Sequence, residues 1–236
     1  AMVNLSVQGN GTDAASNHSI EVLRSQVVPA TVGKLAGTEA VVSGPTAMSK
    51  DFLDTMKSHL PIVFLFVLSL AFILLLVTFR SIVVPIKAIV LNLLSVGSAY
   101  GLLTWLFQDG HGEKALGFNS VGGITPWLPL FLFVVLFGLS MDYHVFVLSR
   151  IRELVDRGMS TDNAVAQGIK STAGVITSAA AVMVVTFGAF ATGSSQDMKQ
   201  LGIGLAAAIL IDATIVRAVL LPATMKLLGT RNWYLP

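Results

Sequence analysis

Leu60-Pro61-Ile62-Val63-Phe64-Leu65-Phe66-Val67-Leu68-Ser69-Leu70-Ala71-Phe72-Ile73-Leu74-Leu75-Leu76-Val77-Thr78-Phe79 is a run of twenty residues without a charged side chain. The hydrocarbon core of a bilayer is about 30 Å thick, and a helix of about 20 residues crosses it. The run reads as a transmembrane helix. Four more stretches read the same way: 83–107 with Lys87 at its entrance, 127–149 containing Asp142, 172–192, and 201–221 containing Asp212 and Arg217. Composition agrees. Charged residues make up 12% of the chain and hydrophobic ones 54%, whereas soluble domains carry about 25% charged residues. The chain belongs to the membrane class before any motif is read. It has no cysteine, so disulfide and thiol chemistry are excluded. Its net charge of +2 makes no case for a nucleic-acid partner. No His/Cys cluster suggests a metal site, and no cofactor is expected.

Residues 1–58 read as soluble. Met2-Val3-Asn4-Leu5-Ser6-Val7 alternates like a short strand, broken at Gly9-Asn10-Gly11. Residues 16–36 carry Ile20, Leu23, Val27, Val28 and Leu35 at helical spacing, with Pro29 as an irregularity. Glu39-Ala40-Val41-Val42-Ser43 reads as a second strand, Gly44-Pro45 as a turn, and 46–59 as a second helix. A β-α-β-α unit of this size is too small to bury its own core. It is expected to be part of a larger α+β domain.

Lys and Arg near the span ends set orientation. With residues 1–58 outside, the inner side carries eight: Arg80, Lys87, Arg150, Arg152, Arg157, Lys170, Lys226 and Arg231. The outer side carries four: Lys50, Lys57, Lys114 and Lys199. Trp105, Trp127 and Trp233 lie at span ends, as interfacial anchors do. Residues 230–236 then begin a cytoplasmic tail. An external first domain needs export, yet residues 1–30 show no basic segment followed by an apolar one, so no signal peptide is read. A preceding transmembrane helix is therefore expected, and the chain is expected to be cut inside an extracytoplasmic domain. Residues 150–170 place Ile151, Leu154, Val155, Ala164, Val165 and Ile169 at helical spacing among charges. They are expected to lie on the inner membrane surface as a solvated connector. The Gly-rich stretch 108–125 reads as a plain external connection.

Two carboxylates lie inside spans. A charge at bilayer depth costs at least about 2.5–3.5 kcal/mol, so such residues usually face the bundle interior and act there. Asp142 sits seven residues before the inner end of its span, roughly 10 Å inside the boundary. A carboxyl withdrawn from water holds its proton more firmly than a surface one, which suits a proton relay. Tyr143 supplies a neighbouring hydroxyl. Asp212 lies near the middle of the last span, either as a relay or counter-charge or as a structural hydrogen-bonding group. Gly202, Gly204 and Ala206 to Ala208 before it, with Ala173, Gly174 and Ala179 to Ala181 in the fourth span, mark close helix contacts. Thr177 and Ser178 are the partners such packing would offer. Arg217, five residues past Asp212, is not an i,i+4 partner and is expected to snorkel to the inner interface. His144 either joins the relay or is a polar side chain turned into the bundle. Asn92 reads as an interhelical hydrogen-bonding group.

The run Gly138-Leu139-Ser140-Met141-Asp142-Tyr143-His144-Val145-Phe146-Val147-Leu148-Ser149-Arg150-Ile151-Arg152-Glu153 resembles the signature of the C-terminal repeat of the MMPL family of the RND superfamily. Gly44-Pro45-Thr46-Ala47, Thr78-Phe79-Arg80-Ser81, Pro85-Ile86-Lys87, Ile211 to Arg217, Leu220-Leu221-Pro222-Ala223 and the tail from Gly229 to Trp233 fit as well. The resemblance covers nearly the whole chain. It implies an α-helical polytopic membrane protein: five transmembrane helices of an RND-type second repeat (59–229), preceded at 1–58 by part of an extracytoplasmic α+β porter domain. It implies export of lipids or other hydrophobic molecules across the bacterial cytoplasmic membrane, driven by the proton gradient. Asp142 and Tyr143 would be the second-repeat relay pair, with Asp212, His144 and Ser178 as further candidates. The partners implied are an N-terminal repeat of the same transporter, a lipid-like substrate and membrane lipids, with homo-oligomers open. His144 departs from the pattern, because many relatives carry an acidic residue there. In the implied cycle a proton from outside neutralises Asp142, the helices rearrange, and the movement reaches the porter domain through a continuous helix beginning near Leu53.

Three rivals share some of these features. SecDF-like and sterol-sensing relatives have the same architecture, but the Arg-Ile-Arg-Glu continuation favours MMPL. An intramembrane aspartyl protease needs two carboxylates at one depth sharing a proton, whereas these are expected to differ by about a turn or more. A non-transporting scaffold leaves the relay without a purpose. The chain is read as a transporter and not as an enzyme.

Overall fold

The computed structural model describes residues 2–6, 11, 14–120 and 122–234. It divides into two compact units, Ala1–Ile62 and Val63–Pro236.

The first unit contains helices and irregular segments, and no strand occurs among its described residues. Helix α1 (Ala14–Val22) continues through a π turn (Leu23–Val27) and short turns at Val28–Ala30 and Val32–Lys34. The α+β expectation is corrected here. Residues 2–6 and 39–43 are largely exposed and irregular. Alternation alone does not make a strand; a partner must take its backbone hydrogen bonds. Val7, Gly9 and Asn10 lie outside the described residues. Arg24 pairs with both oxygens of Asp51 and donates to Val42 O at 3.0 Å. The Asp51 hydrogen bond raises the Arg24 pKa above its ordinary value. Lys50 bridges Glu21 (2.9 Å) and Asp54 (2.8 Å). Gly44, at φ 127°, turns the chain into helix α2 (Pro45–Phe79), whose first residue is a proline. Proline suits that position because it lacks an N–H, and an N–H there would have no helical acceptor anyway. The helix expected at 46–59 and the first span are thus one continuous element, with Pro61 inside it.

The second unit contains α3 (Val83–Leu103), the short α4 (Glu113–Leu116), α5 (Leu128–Asp156), α6 (Thr161–Gly188), α7 (Gln196–Ile211) and α8 (Leu221–Leu228). A π segment (Asp212–Leu220) joins α7 to α8 without a break. Among the described residues five helices are long and apolar enough to cross a membrane, ending at Phe79, Gln108, Asp156, Thr192 and Trp233. The protein is a multi-pass membrane protein.

Glycines set the close helix approaches. A Cβ on Gly202 of α7 would lie 2.5 Å from the carbonyl oxygen of Phe187, and one on Gly168 would lie 2.5 Å from Ile151 Cγ1. The inner-surface connector is corrected. α5 runs on to Asp156, Gly158 turns the chain at φ 91°, and α6 starts at Thr161. Ile151, Leu154, Ala164 and Val165 are buried in the bundle, because two long helices meeting at Gly168 cover the apolar stripe better than a membrane surface would. The stretch 108–125 is also tied down. Lys199 donates to Leu116 O at 2.5 Å, and Thr125 N donates to Gln200 Oε1 at 2.9 Å. At the chain's other end a 3-10 turn (Gly229–Trp233) folds back onto the bundle. Asn232, fully buried, accepts from Lys87 Nζ (3.0 Å) and from Ser81 Oγ (2.6 Å, at its carbonyl), and donates to Met225 O and Gly229 O. Arg152 lies 4.8 Å above the Trp233 ring.

The core falls into two apolar clusters. One holds Leu75, Val84, Leu91, Val147, Leu148, Ile151, Val216 and Met225. The other holds Val96, Leu103, Phe107, Leu132, Phe133, Phe137, Leu205 and Ala208. Between them, on α3, α5 and the π segment, lies a layer of buried polar residues: Asn92, Ser95, Ser140, His144, Asp212 and Arg217.

Candidate functional site

Local helix geometry builds this layer. In the π form, backbone hydrogen bonds run from i to i+5, and such segments often occur at functional sites. Residues five apart then lie one turn apart. Asp212 and Arg217 therefore share a face, and Arg217 Nη2 reaches Asp212 Oδ2 at 2.5 Å. The expectation that Arg217 snorkels outward is corrected. Its spacing fails the α-helical rule because this stretch is not α-helical. The same nitrogen donates to Ser140 O at 3.0 Å, and the guanidinium lies 4.5 Å above the ring centroid of Tyr143. Burial of a charge needs such pairing and hydrogen bonding.

Ser140 is the hub. Its Oγ lies 2.6 Å from Asn92 Oδ1, 3.1 Å from each carboxylate oxygen of Asp212 and 3.4 Å from His144 Nδ1. With one proton it donates to one acceptor at a time. His144, fully buried, places Nδ1 3.0 Å from Ser140 O. Tyr143 directs its hydroxyl to Met183 Sδ at 3.6 Å. A cavity of about 20 Å³ lies among Asn92, Ser95, Ser140, Tyr143 and Asp212, room for about one water.

Asp142 lies elsewhere. It is exposed on a face of α5 that also carries Phe131, Val134, Gly138, Phe146 and Ser149. Among the described residues its carboxylate has no hydrogen-bond or ion-pair partner. The bundle interior expected for Asp142 is thus occupied by Ser140 and His144 instead. Ser178 is exposed as well, and its Oγ donates to Gly174 O of its own helix at 2.7 Å. Thr177 does the same with Ala173 O. Neither reaches a carboxylate. Asp212 is level with Ser140, two residues from Asp142 and so roughly 3 Å away in helix rise. The expected depth difference between the carboxylates is not found. They still form no protease-type dyad, because Asp212 is paired with Arg217 inside while Asp142 faces out. Among the described residues no group of three His, Cys, Asp or Glu side chains comes together to hold a metal.

The sequence profile of the MMPL family matches residues 1–236. The chain belongs to the MMPL family. It is 42% identical over 224 residues to the mycolic acid-containing lipids exporter MmpL11 of Mycolicibacterium smegmatis, covering 95% of this chain and 23% of that protein. It is 40% identical to the heme uptake protein MmpL11 of Mycobacterium tuberculosis, with the same coverage. It is 38% identical over 234 residues to the trehalose monomycolate exporter MmpL3 of Mycobacterium tuberculosis, covering 94% of this chain and 25% of that protein. The chain therefore spans about a quarter of the length of the curated relatives it matches. MMPL membership replaces the SecDF-like, sterol-sensing and protease readings, since these relatives are named as transport proteins and not as enzymes.

Proposed function

We propose that this MMPL chain is the second-repeat part of a proton-driven exporter that moves lipids or other hydrophobic molecules across the bacterial cytoplasmic membrane. The observation that carries the reading is Asp142: a carboxylate within a membrane-spanning helix, on an exposed face, with no hydrogen-bond or ion-pair partner among the described residues. Such a charge is expensive in lipid, which supports a face covered by another part of the transporter. The relatives' names, for mycolic lipids and trehalose monomycolate, support a lipid-like cargo. Residues 1–58 are assigned to the extracytoplasmic side, residues 59–229 to the bundle and the C-terminus to the cytoplasm, as the excess of inner Lys and Arg suggests. The partners are a first repeat of the same protein and the surrounding lipids.

In the proposed cycle, protonation neutralises Asp142 and removes the reason for its polar contacts. Tyr143 is the next residue, and its ring lies against Arg217. A shift of the Asp142 face is passed through that ring to Arg217 and Asp212, and so to the last helix. Loss of the proton on the inner side resets the pair.

The test is Asp142→Asn in the protein as expressed from its gene, reconstituted in liposomes with an imposed pH gradient. A fluorescent acyl-trehalose serves as probe cargo. Export and coupled proton flux are expected to stop while thermal unfolding stays unchanged. Export at the wild-type rate would sink the assignment.

A further inference from the structure

His144 is a buried titratable group that the cycle above leaves unused. Its Nδ1 lies 3.0 Å from a carbonyl oxygen, that of Ser140. A carbonyl only accepts, so Nδ1 carries the proton in the resting ring, and Nε2 is left with its lone pair. Nε2 is buried and has no hydrogen-bond partner among the described residues. A basic nitrogen held in that way inside a bundle calls for an account, because burying a polar atom without a partner costs about 1–3 kcal/mol. A merely structural side chain would avoid this cost.

The neighbours supply the account. From the helix of His144 itself come Ser140 and Tyr143; from the π segment, Asp212 and Arg217; from α3, Asn92 within the layer and Lys87, whose charge also acts on the ring. Ser140 Oγ lies 3.4 Å from Nδ1 on one side and 3.1 Å from the Asp212 oxygens on the other. Imidazole, hydroxyl and carboxylate thus form a line of hydrogen-bonding groups across the polar layer.

Resting on the proton-driven reading above, we propose that His144 is a proton-transfer residue that protonates Asp212 through Ser140. The step balances. A proton binds the lone pair of Nε2. The Nδ1 proton passes to Ser140 Oγ, and the hydroxyl proton of Ser140 passes to the Asp212 carboxylate. The products are a neutral carboxylic acid at Asp212 and a neutral imidazole with its proton on Nε2. Arg217 then loses the charge that holds it, while its guanidinium still lies against Tyr143, next to Asp142. A proton arriving at the buried histidine is felt at the Asp142–Tyr143 face without Asp142 itself being touched.

The experiment labels the histidines with ¹⁵N in the intact protein in lipid nanodiscs. There are four histidines in this sequence, and His144→Asn identifies the His144 signals by subtraction. At about pH 8 the ring is expected as the Nδ1–H form, and as the pH is lowered step by step into the acid range it is expected to convert to the Nε2–H form. In Ser140→Ala that exchange is lost. A ring that rests as Nε2–H, or that keeps the Nδ1–H form throughout, overturns the proposal. The functional arm compares variants in the liposome assay. His144→Asn keeps a donor for the Ser140 carbonyl but cannot carry a proton through. Its export is expected to fall at least about tenfold, as for loss of a positioned acid–base group. If Asp142→Asn abolishes export and His144→Asn leaves it intact, this inference fails alone. If Asp142→Asn exports normally, the parent reading fails, and the ¹⁵N result still decides the tautomer exchange.

Discussion

Replacing Asp212 by asparagine tests the buried pair directly. The side chains of Asp212 and Arg217 are only 10% and 6% exposed. Asn keeps the size and can still accept from Ser140, so packing hardly changes. What changes is that Arg217 remains a buried cation whose other contacts are the Ser140 carbonyl and hydroxyl and the face of Tyr143. Breaking a buried pair from one side costs about 3–5 kcal/mol. For a domain of this size each kcal/mol moves the midpoint by roughly 2–4 °C, so the fall in Tm is roughly 6–20 °C. Thermal unfolding in detergent, followed by the fluorescence of the three tryptophans, reads it. Asp212→Leu combined with Arg217→Met removes both charges, and apolar replacement of a buried pair is often neutral or stabilising. The double variant is expected to recover most of the loss. A single variant that loses less than about 1 kcal/mol, far below the cost of an unpaired buried charge, would refute the pairing. A double variant as unstable as the sum of its parts would refute the explanation by unpaired charge.

Tyr143→Phe keeps the ring over Arg217 and loses only a hydroxyl bonded to Met183 Sδ; its stability is expected to stay within about 1 kcal/mol of wild type, while Tyr143→Leu loses a desolvated cation–π contact of about 2 kcal/mol, read in the same unfolding assay. Gly202→Val puts a side chain where even a Cβ comes within 2.5 Å of the Phe187 carbonyl. A loss of about 1–3 kcal/mol is expected from overpacking, and an unchanged Tm would show that α6 and α7 are not in close contact there. Asn232→Ala strands the ammonium of Lys87 inside the protein and removes the side-chain tie between the turn and Met225 O. At about 1–3 kcal/mol for a buried group left unpaired, the Gly229–Trp233 turn is expected to detach, which protease cleavage after Arg231 would report.

The five spans were legible because the signal is simple: about twenty apolar residues, few charges, basic flanks. The Asp142-Tyr143 run was legible as a family signature. The extended segments of the first unit were not, since Met2–Ser6 alternates as a strand does but has no partner strand among the described residues. Residues 150–170 misled for the opposite reason. The charges of Arg150, Arg152, Glu153, Asp156 and Arg157 suggested a surface segment, yet these residues pair among themselves while Ile151 and Leu154 turn inward. The helical spacing is real, but spacing alone does not say whether a stripe meets lipid or another helix.

The Asp212–Arg217 pair carries its own signal in the sequence. An acid and a base in one apolar span each bear a large penalty if left alone, and that shared penalty argues for pairing more strongly than the i,i+4 rule argues against it. When two intramembrane charges of opposite sign stand five residues apart, the economical solution is to change the helix, not to separate the charges. The nine-residue π segment is that solution, and it has a further consequence. A π segment holds Asp212 and Arg217 together only while their attraction outweighs the looser backbone. Neutralising Asp212 removes that attraction and favours ordinary helical winding, which would rotate everything beyond it, including Arg217 and the Gly229–Trp233 turn. If Asp212 takes up the proton as proposed, the polar layer between the two apolar clusters is where that proton acts on helix geometry.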